Sequence, residues 1–193
     1  MGAMIVGKLR GGIDIRTMGS GNAGGTNALR TQGIGFAIGV VLIDIGKGVI
    51  GAGVVPGLAV PFVPADPELS RQWLTMCCAA AAVFGHVWPI YHRFRGGKGA
   101  ATFVGTLIIV GPELIPPLIL VWVGTIVISG YVGLATMFAA IAVAVASANF
   151  KPNLVPTGPV GGEIAAIAVV VTSPVFTSPE GAPPETAIFA HMP

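Results

Sequence analysis

The chain has 193 residues, of which 9% are charged and 53% hydrophobic, with a mean hydropathy of +0.85 and a formal net charge of +2. Soluble domains carry about 25% charged residues, so a water-bathed globule is excluded for most of this chain and a bilayer is the expected solvent. The two cysteines, adjacent at Cys77 and Cys78, exclude a disulfide framework or a zinc spacing and read as small packing residues.

In chain order, the first nine residues are too short to span a membrane and show no signal-peptide pattern. A basic, glycine-rich loop follows, running from Arg16 through Gly19, Ser20, Gly21, Asn22, Gly24, Gly25, Thr26 and Asn27 to Arg30. A helix is expected through Leu29 to Asp44, capped by Thr26 or Asn27. It lies in the apolar run 33–65, whose only charges are Asp44 and Lys47. Three residues apart on a helix, these two can face each other; charges at that depth pair, mark function, or both.

The segment around Asp66 and Glu68 reads as an outer loop. The run 72–92 holds no Asp, Glu, Lys or Arg and predicts a second crossing. A second glycine-rich basic loop comes next, Arg95-Gly96-Gly97-Lys98-Gly99, then a short apolar helix over 99–111. The run 114–150 is uncharged and would make a helix of about 55 Å, so it reads as two helices turning near Ser129-Gly130-Tyr131. Beyond it, 151–162 is a Pro/Gly-rich loop, 163–176 is apolar but interrupted by Pro174, and 178–185 is again Pro-rich. The final residues, Ala187 to Pro193, read as the start of another helix.

Every basic residue except Lys151 lies between Lys8 and Lys98. Basic residues favour the cytoplasmic side, and two crossings between the glycine-rich loops return the chain to that side. Both loops then face the cytoplasm together.

Each loop reads as a nest of backbone N–H groups leading into a helix N-terminus, an arrangement that favours phosphate. Arg30 and Lys98 add full charges; Ser20, Asn22, Thr26 and Asn27 add neutral donors able to orient a hydroxyl. Glycines permitting tight turns beside headgroup anchors are the plainer explanation of either loop alone. Gly19-x-Gly21-x-x-Gly24 matches a dinucleotide fingerprint only formally, because no strand precedes it. Gly97-Lys98 is not a Walker loop, since His92 and Gly99 occupy two of its defining positions. His86, just before the second loop, is a candidate base or a helix-end residue bonded to a carbonyl. No carboxylate cluster suggests a metal.

Taken together, Asp14 through Asn22, Thr26-Asn27 with Arg30, Asp44 with Lys47-Gly48, Gly85-His86 with Pro89, and Arg95 through Gly99 resemble the bacterial membrane-integral glycerol-3-phosphate acyltransferases that use acyl phosphate as donor. The motif match runs from Lys8 to about Thr102. The resemblance implies an all-α, polytopic transmembrane bundle in the inner membrane, with about five to six of an expected seven helices present. It implies one acyltransferase domain over 1–193, with its first helix incomplete and its last helix and C-terminal motif missing.

The implied reaction transfers a fatty acyl group to the 1-hydroxyl of glycerol 3-phosphate, giving lysophosphatidic acid and phosphate in phospholipid synthesis. Ser20 and His86 are the implied catalytic residues. Arg16, Gly21, Asn22, Thr26, Asn27, Arg30, Gly96, Gly97, Lys98 and Gly99 would bind substrate and its phosphates. The expected partners are acyl phosphate, glycerol 3-phosphate and membrane lipid, with no nucleic acid, no obligate protein partner, and no cofactor or metal. The His-x4-Asp pattern of acyl-CoA-dependent acyltransferases is absent, because Tyr91 stands where its Asp would be. Two rival readings use the same loops: a small transporter or channel for a phosphorylated solute, and a scaffold that binds anionic lipid.

Overall fold

The computed structural model of the chain describes residues 1–59 and 71–149. The expected outer loop around Asp66 and Glu68, and every expectation for 150–193, lie outside the described residues. Seven α-helices occur among those described: α1 (Gly2–Leu9), α2 (Gly25–Gln32), α3 (Ile34–Gly53), α4 (Arg71–Val87), α5 (Ala100–Val110), α6 (Ile115–Ser129) and α7 (Val132–Asn149).

Three segments are long and apolar enough to cross a membrane: Ile34–Gly57, Arg71–His92 and Pro112–Ser129. Ala100–Val110 and Val132–Ser147 are shorter apolar helices. Residues such as Leu42, Leu120, Val127 and Ile128 are largely exposed. In water these would be a liability, but against lipid tails they are in their proper solvent.

The expected helix from Leu29 to Asp44 is two helices. Gly33 has φ of 82°, a left-handed conformation that only glycine adopts without strain. Its N–H closes α2 on Leu29 O, while its carbonyl accepts the Ala37 N–H that opens α3. The expected cap is also corrected: Gly24, in extended conformation, is the N-cap of α2, and neither Thr26 nor Asn27 caps it. The loop before Asn27 needs that side chain elsewhere. The break within 114–150 falls where expected, with Gly130 (φ 71°) ending α6 and α7 starting two residues later.

Lipid tails are as apolar as leucine, so close packing rather than the hydrophobic effect holds such helices together. The tightest joint is α3 on α5. A Cβ on Gly48 would collide with the Thr102 carbonyl, and one on Gly105 with the Ile45 carbonyl. The two backbones therefore touch directly. One buried cluster joins α4, α5, α6 and α7 through Val83, Phe103, Leu107, Leu118, Ala139 and Val143. A second joins α1, α2 and α3 through Val6, Ile15, Ala28, Phe36 and Val40. The α3–α5 joint links the two halves, and each half contributes one glycine-rich loop.

Candidate active site

The first loop is anchored at its start. Asp14 caps a 3-10 turn (Ile15–Thr17) by accepting the Arg16 N–H, and the Arg16 guanidinium forks onto the same carboxylate. Nε lies 2.9 Å from Oδ1 and Nη2 lies 2.7 Å from Oδ2. Arg16 is thus a staple for the loop, its charge directed at Asp14. The hydrogen bonds from Arg16 outweigh partial burial and hold the Asp14 carboxyl below its ordinary value of 3.8. A carboxyl lowered in the fold stabilises fully above its ordinary value, and that contribution disappears as pH falls through the lower one. The stability gap between the wild type and Asp14→Asn should therefore stay constant from pH 7 to about 5 and shrink once pH drops below 3.8. Thermal unfolding in detergent across that range checks it.

Asn27, 3% exposed, is the hub of the loop. Its Oδ1 accepts the Ser20 N–H at 3.1 Å. Its Nδ2 donates to the carbonyls of Ile15, Asn22 and Met18 at 2.9, 2.9 and 3.1 Å. Removing such a side chain leaves buried groups unpaired, at about 1–3 kcal/mol each. Asn27→Ala should lower stability by about 3 kcal/mol, read by thermal unfolding. Asn27→Asp should not rescue it, because a carboxylate has no donor for three carbonyls.

The second loop is moulded onto the end of α4. A Cβ on Gly96 would collide with the carbonyls of His86 and Val87, and one on Gly97 with His86 Nε2. Close approach, not a special φ, requires glycine at both positions. Gly99 does adopt a left-handed φ of 82° and is the N-cap of α5, with no side-chain cap bond. The first amides of α5 and the positive end of its dipole are then directed at whatever lies before them.

What lies before them is a cavity of about 580 Å³. Its polar lining includes Ser20, Asn22, Thr26, Asn27, Arg30, Lys98 and Gly99, so the two loops meet although Arg30 and Lys98 are 68 positions apart in the chain. Asn22 is among the lining residues, and its Oδ1 is buried without a hydrogen-bond partner. The rest of the wall is mostly apolar, with Leu42 from α3, Leu118, Ile119 and Trp122 from α6, and Ala139 and Ala140 from α7, and it also includes Asp44, His86 and Thr136. Arg16, Gly21, Gly96 and Gly97 do not line the cavity; they shape the loops that do.

His86, buried and at the cavity's edge, is joined to two residues that the sequence considered separately. Lys47 Nζ lies 2.7 Å from Asp44 Oδ1 and 3.1 Å from His86 Nδ1. Asp44 Oδ1 also accepts the Gly2 N–H at 2.9 Å. The i,i+3 spacing signals the Asp44–Lys47 pair in sequence, but nothing there signals a link to a residue 39 positions on. The apolar wall from α6 and α7 was missed as well, because uniformly hydrophobic runs give no sign of which face meets a ligand.

Comparison with known proteins gives a consistent picture. The family model for glycerol-3-phosphate acyltransferase matches residues 1–177. A glycerol-3-phosphate acyltransferase of Chlorobaculum tepidum is 44% identical over 142 residues, covering 72% of this chain and 61% of the relative. One from Chlorobium phaeovibrioides is 41% identical over 141 residues, with coverage of 72% and 60%. The chain thus spans less than two thirds of the length of these relatives. Among solved structures, the glycerol 3-phosphate form of PlsY, an integral membrane glycerol 3-phosphate acyltransferase, superposes with a TM-score of 0.68 at 29% identity, covering 88% of this chain and 76% of PlsY. Its lysophosphatidic acid form superposes with a TM-score of 0.67 at 28% identity and the same coverage.

Proposed function

This chain belongs to the glycerol-3-phosphate acyltransferase family, and from that premise we propose that it transfers a fatty acyl group from acyl phosphate to the 1-hydroxyl of glycerol 3-phosphate. The observation that carries the reading is the cavity's mixed lining: cations, helix amides and hydroxyl-orienting groups from the two loops, and a broad apolar surface from α3, α6 and α7. A phosphorylated polyol matches the first and a fatty chain matches the second.

In this reading Lys98 and the first amides of α5 hold one phosphate, and Arg30 holds the other. Ser20, Thr26 and Asn22 orient the glycerol backbone. The acceptor hydroxyl oxygen attacks the acyl carbonyl carbon, forming the new ester bond. The bond from that carbon to the phosphate oxygen breaks, and phosphate leaves with the electron pair. The hydroxyl proton passes to a phosphate oxygen. Acyl phosphate is already activated, so positioning and charge stabilisation account for the catalysis. The chain would sit in the inner membrane with both loops cytoplasmic, and its products are lysophosphatidic acid and phosphate.

The direct test supplies membranes containing the chain with acyl phosphate and glycerol 3-phosphate and measures phosphate release. Release should depend on the acceptor and fall sharply in Ser20→Ala. Release indifferent to glycerol 3-phosphate would remove the acyltransferase reading. Movement of glycerol 3-phosphate into sealed vesicles, without ester formation, would replace it with transport.

A further inference from the structure

The trio Asp44, Lys47 and His86 has no part in the transfer step, yet it sets a buried carboxylate and a half-buried ammonium beside a cavity-lining histidine. An ammonium has three donors and no acceptor. Lys47 Nζ, 3.1 Å from His86 Nδ1, therefore meets a ring nitrogen that must accept. Asp44 Oδ1 is 3.6 Å from the same nitrogen, too far to take a proton from it, and is instead bonded to Lys47 at 2.7 Å. With Nδ1 accepting, the ring proton belongs on Nε2. Nε2 is the atom turned towards Gly97, where no Cβ could be accommodated.

We propose that Asp44 and Lys47 are positioning residues that hold His86 in the tautomer with its proton on Nε2, presenting an N–H rather than a lone pair to the Gly97–Lys98 turn and the cavity beside it. The chemistry of an anion site favours this choice. A bare ring nitrogen repels phosphate oxygens, whereas an N–H attracts them and keeps the turn in place. Asp44 acts one step further back, fixing the Lys47 side chain, so that a charge pair in the middle of α3 sets the proton position on a ring of α4. His86 is then a donor and not the acceptor of the hydroxyl proton. This last point rests on the acyltransferase reading; the tautomer itself does not.

The test uses the full chain in detergent or nanodiscs, with 15N-labelled histidine. Assignment is made through His92→Gln and His191→Gln. In the wild type, the His86 resonances should show a bare Nδ1 and a protonated Nε2 near neutral pH. A protonated Nδ1 would overturn the proposal without any need for a folded variant. Lys47→Met should give a mixture of the two tautomers and speed amide exchange at Gly97, Lys98 and Gly99 by about tenfold. Lys47→Arg, which keeps a cation and its donors, should restore both. Faster exchange in Lys47→Met with an unchanged tautomer would also overturn it, since Lys47 would then act only as packing. None of these readouts requires turnover, so a failure of the acyltransferase reading leaves this result standing, and the reverse.

Discussion

Lys98→Ala lowers acceptor-dependent phosphate release by about 10²–10³-fold, the range found when one preorganised donor is withdrawn from developing negative charge. The expectation follows from where Lys98 is held. It sits one residue before the Gly99 cap, on a turn moulded against His86 and Val87, so its backbone position is fixed by close contact. Its side chain borders the cavity alongside the uncapped end of α5, where charge and amides act on the same small volume. A leaving phosphate gathers charge there as its bond to the acyl carbon breaks. Lys98→Arg keeps the charge but changes its shape, and should retain much more activity than alanine without matching the wild type. A scaffold binding lipid through charge alone would treat arginine as a full replacement. Wild-type turnover in Lys98→Ala would remove Lys98 from the proposed site.

Gly48→Ala should lower stability by about 3 kcal/mol or more, at the upper end of overpacking costs. An added methyl would collide with the Thr102 carbonyl, lie 2.8 Å from Thr106 N and 2.9 Å from the Gly105 carbonyl carbon. All three are backbone atoms of another helix and cannot rotate away. Gly46→Ala is the control, because the space around that position is open in the same helix. There the substitution should be neutral or stabilising by up to about 1 kcal/mol through helix propensity. Thermal unfolding of the two variants in one detergent compares them directly. Equal midpoints would show that α3 and α5 do not rely on backbone contact. Since α3 follows the Arg30 helix and α5 follows the Lys98 turn, Gly48→Ala should also separate the two cations and weaken phosphate binding in whatever protein remains folded.

Much of the architecture was legible because bilayer spans announce themselves by length and lack of charge. The pairing of the two glycine-rich loops followed from two crossings between them, and the α6–α7 turn followed from Gly130 within a run too long for one helix. The break at Gly33 was not legible, since glycines recur throughout 33–65 and only the fold selects the one with positive φ. Thr26 and Asn27 have the chemistry of caps, but Asn27 is drawn inward to satisfy three carbonyls and an amide. The charge of Arg16 was visible in the sequence and its fork onto Asp14 was not. In each case the residue type was informative, and the competing partner was supplied by tertiary structure.

The Asp44–Lys47 pair also bears on how α3 reaches the membrane at all. A lone Asp or Lys at the centre of an inserting helix costs about 2.5–3.5 kcal/mol, and both lie well inside Ile34–Gly53. Because the two side chains close on each other within one helix, at 2.7 Å, α3 can leave the insertion machinery as a net-neutral rod before α4 is there to receive it. Moving either charge to another face of the helix would keep composition and hydropathy unchanged and still handicap biogenesis, since each charge would then enter the lipid without its counterion.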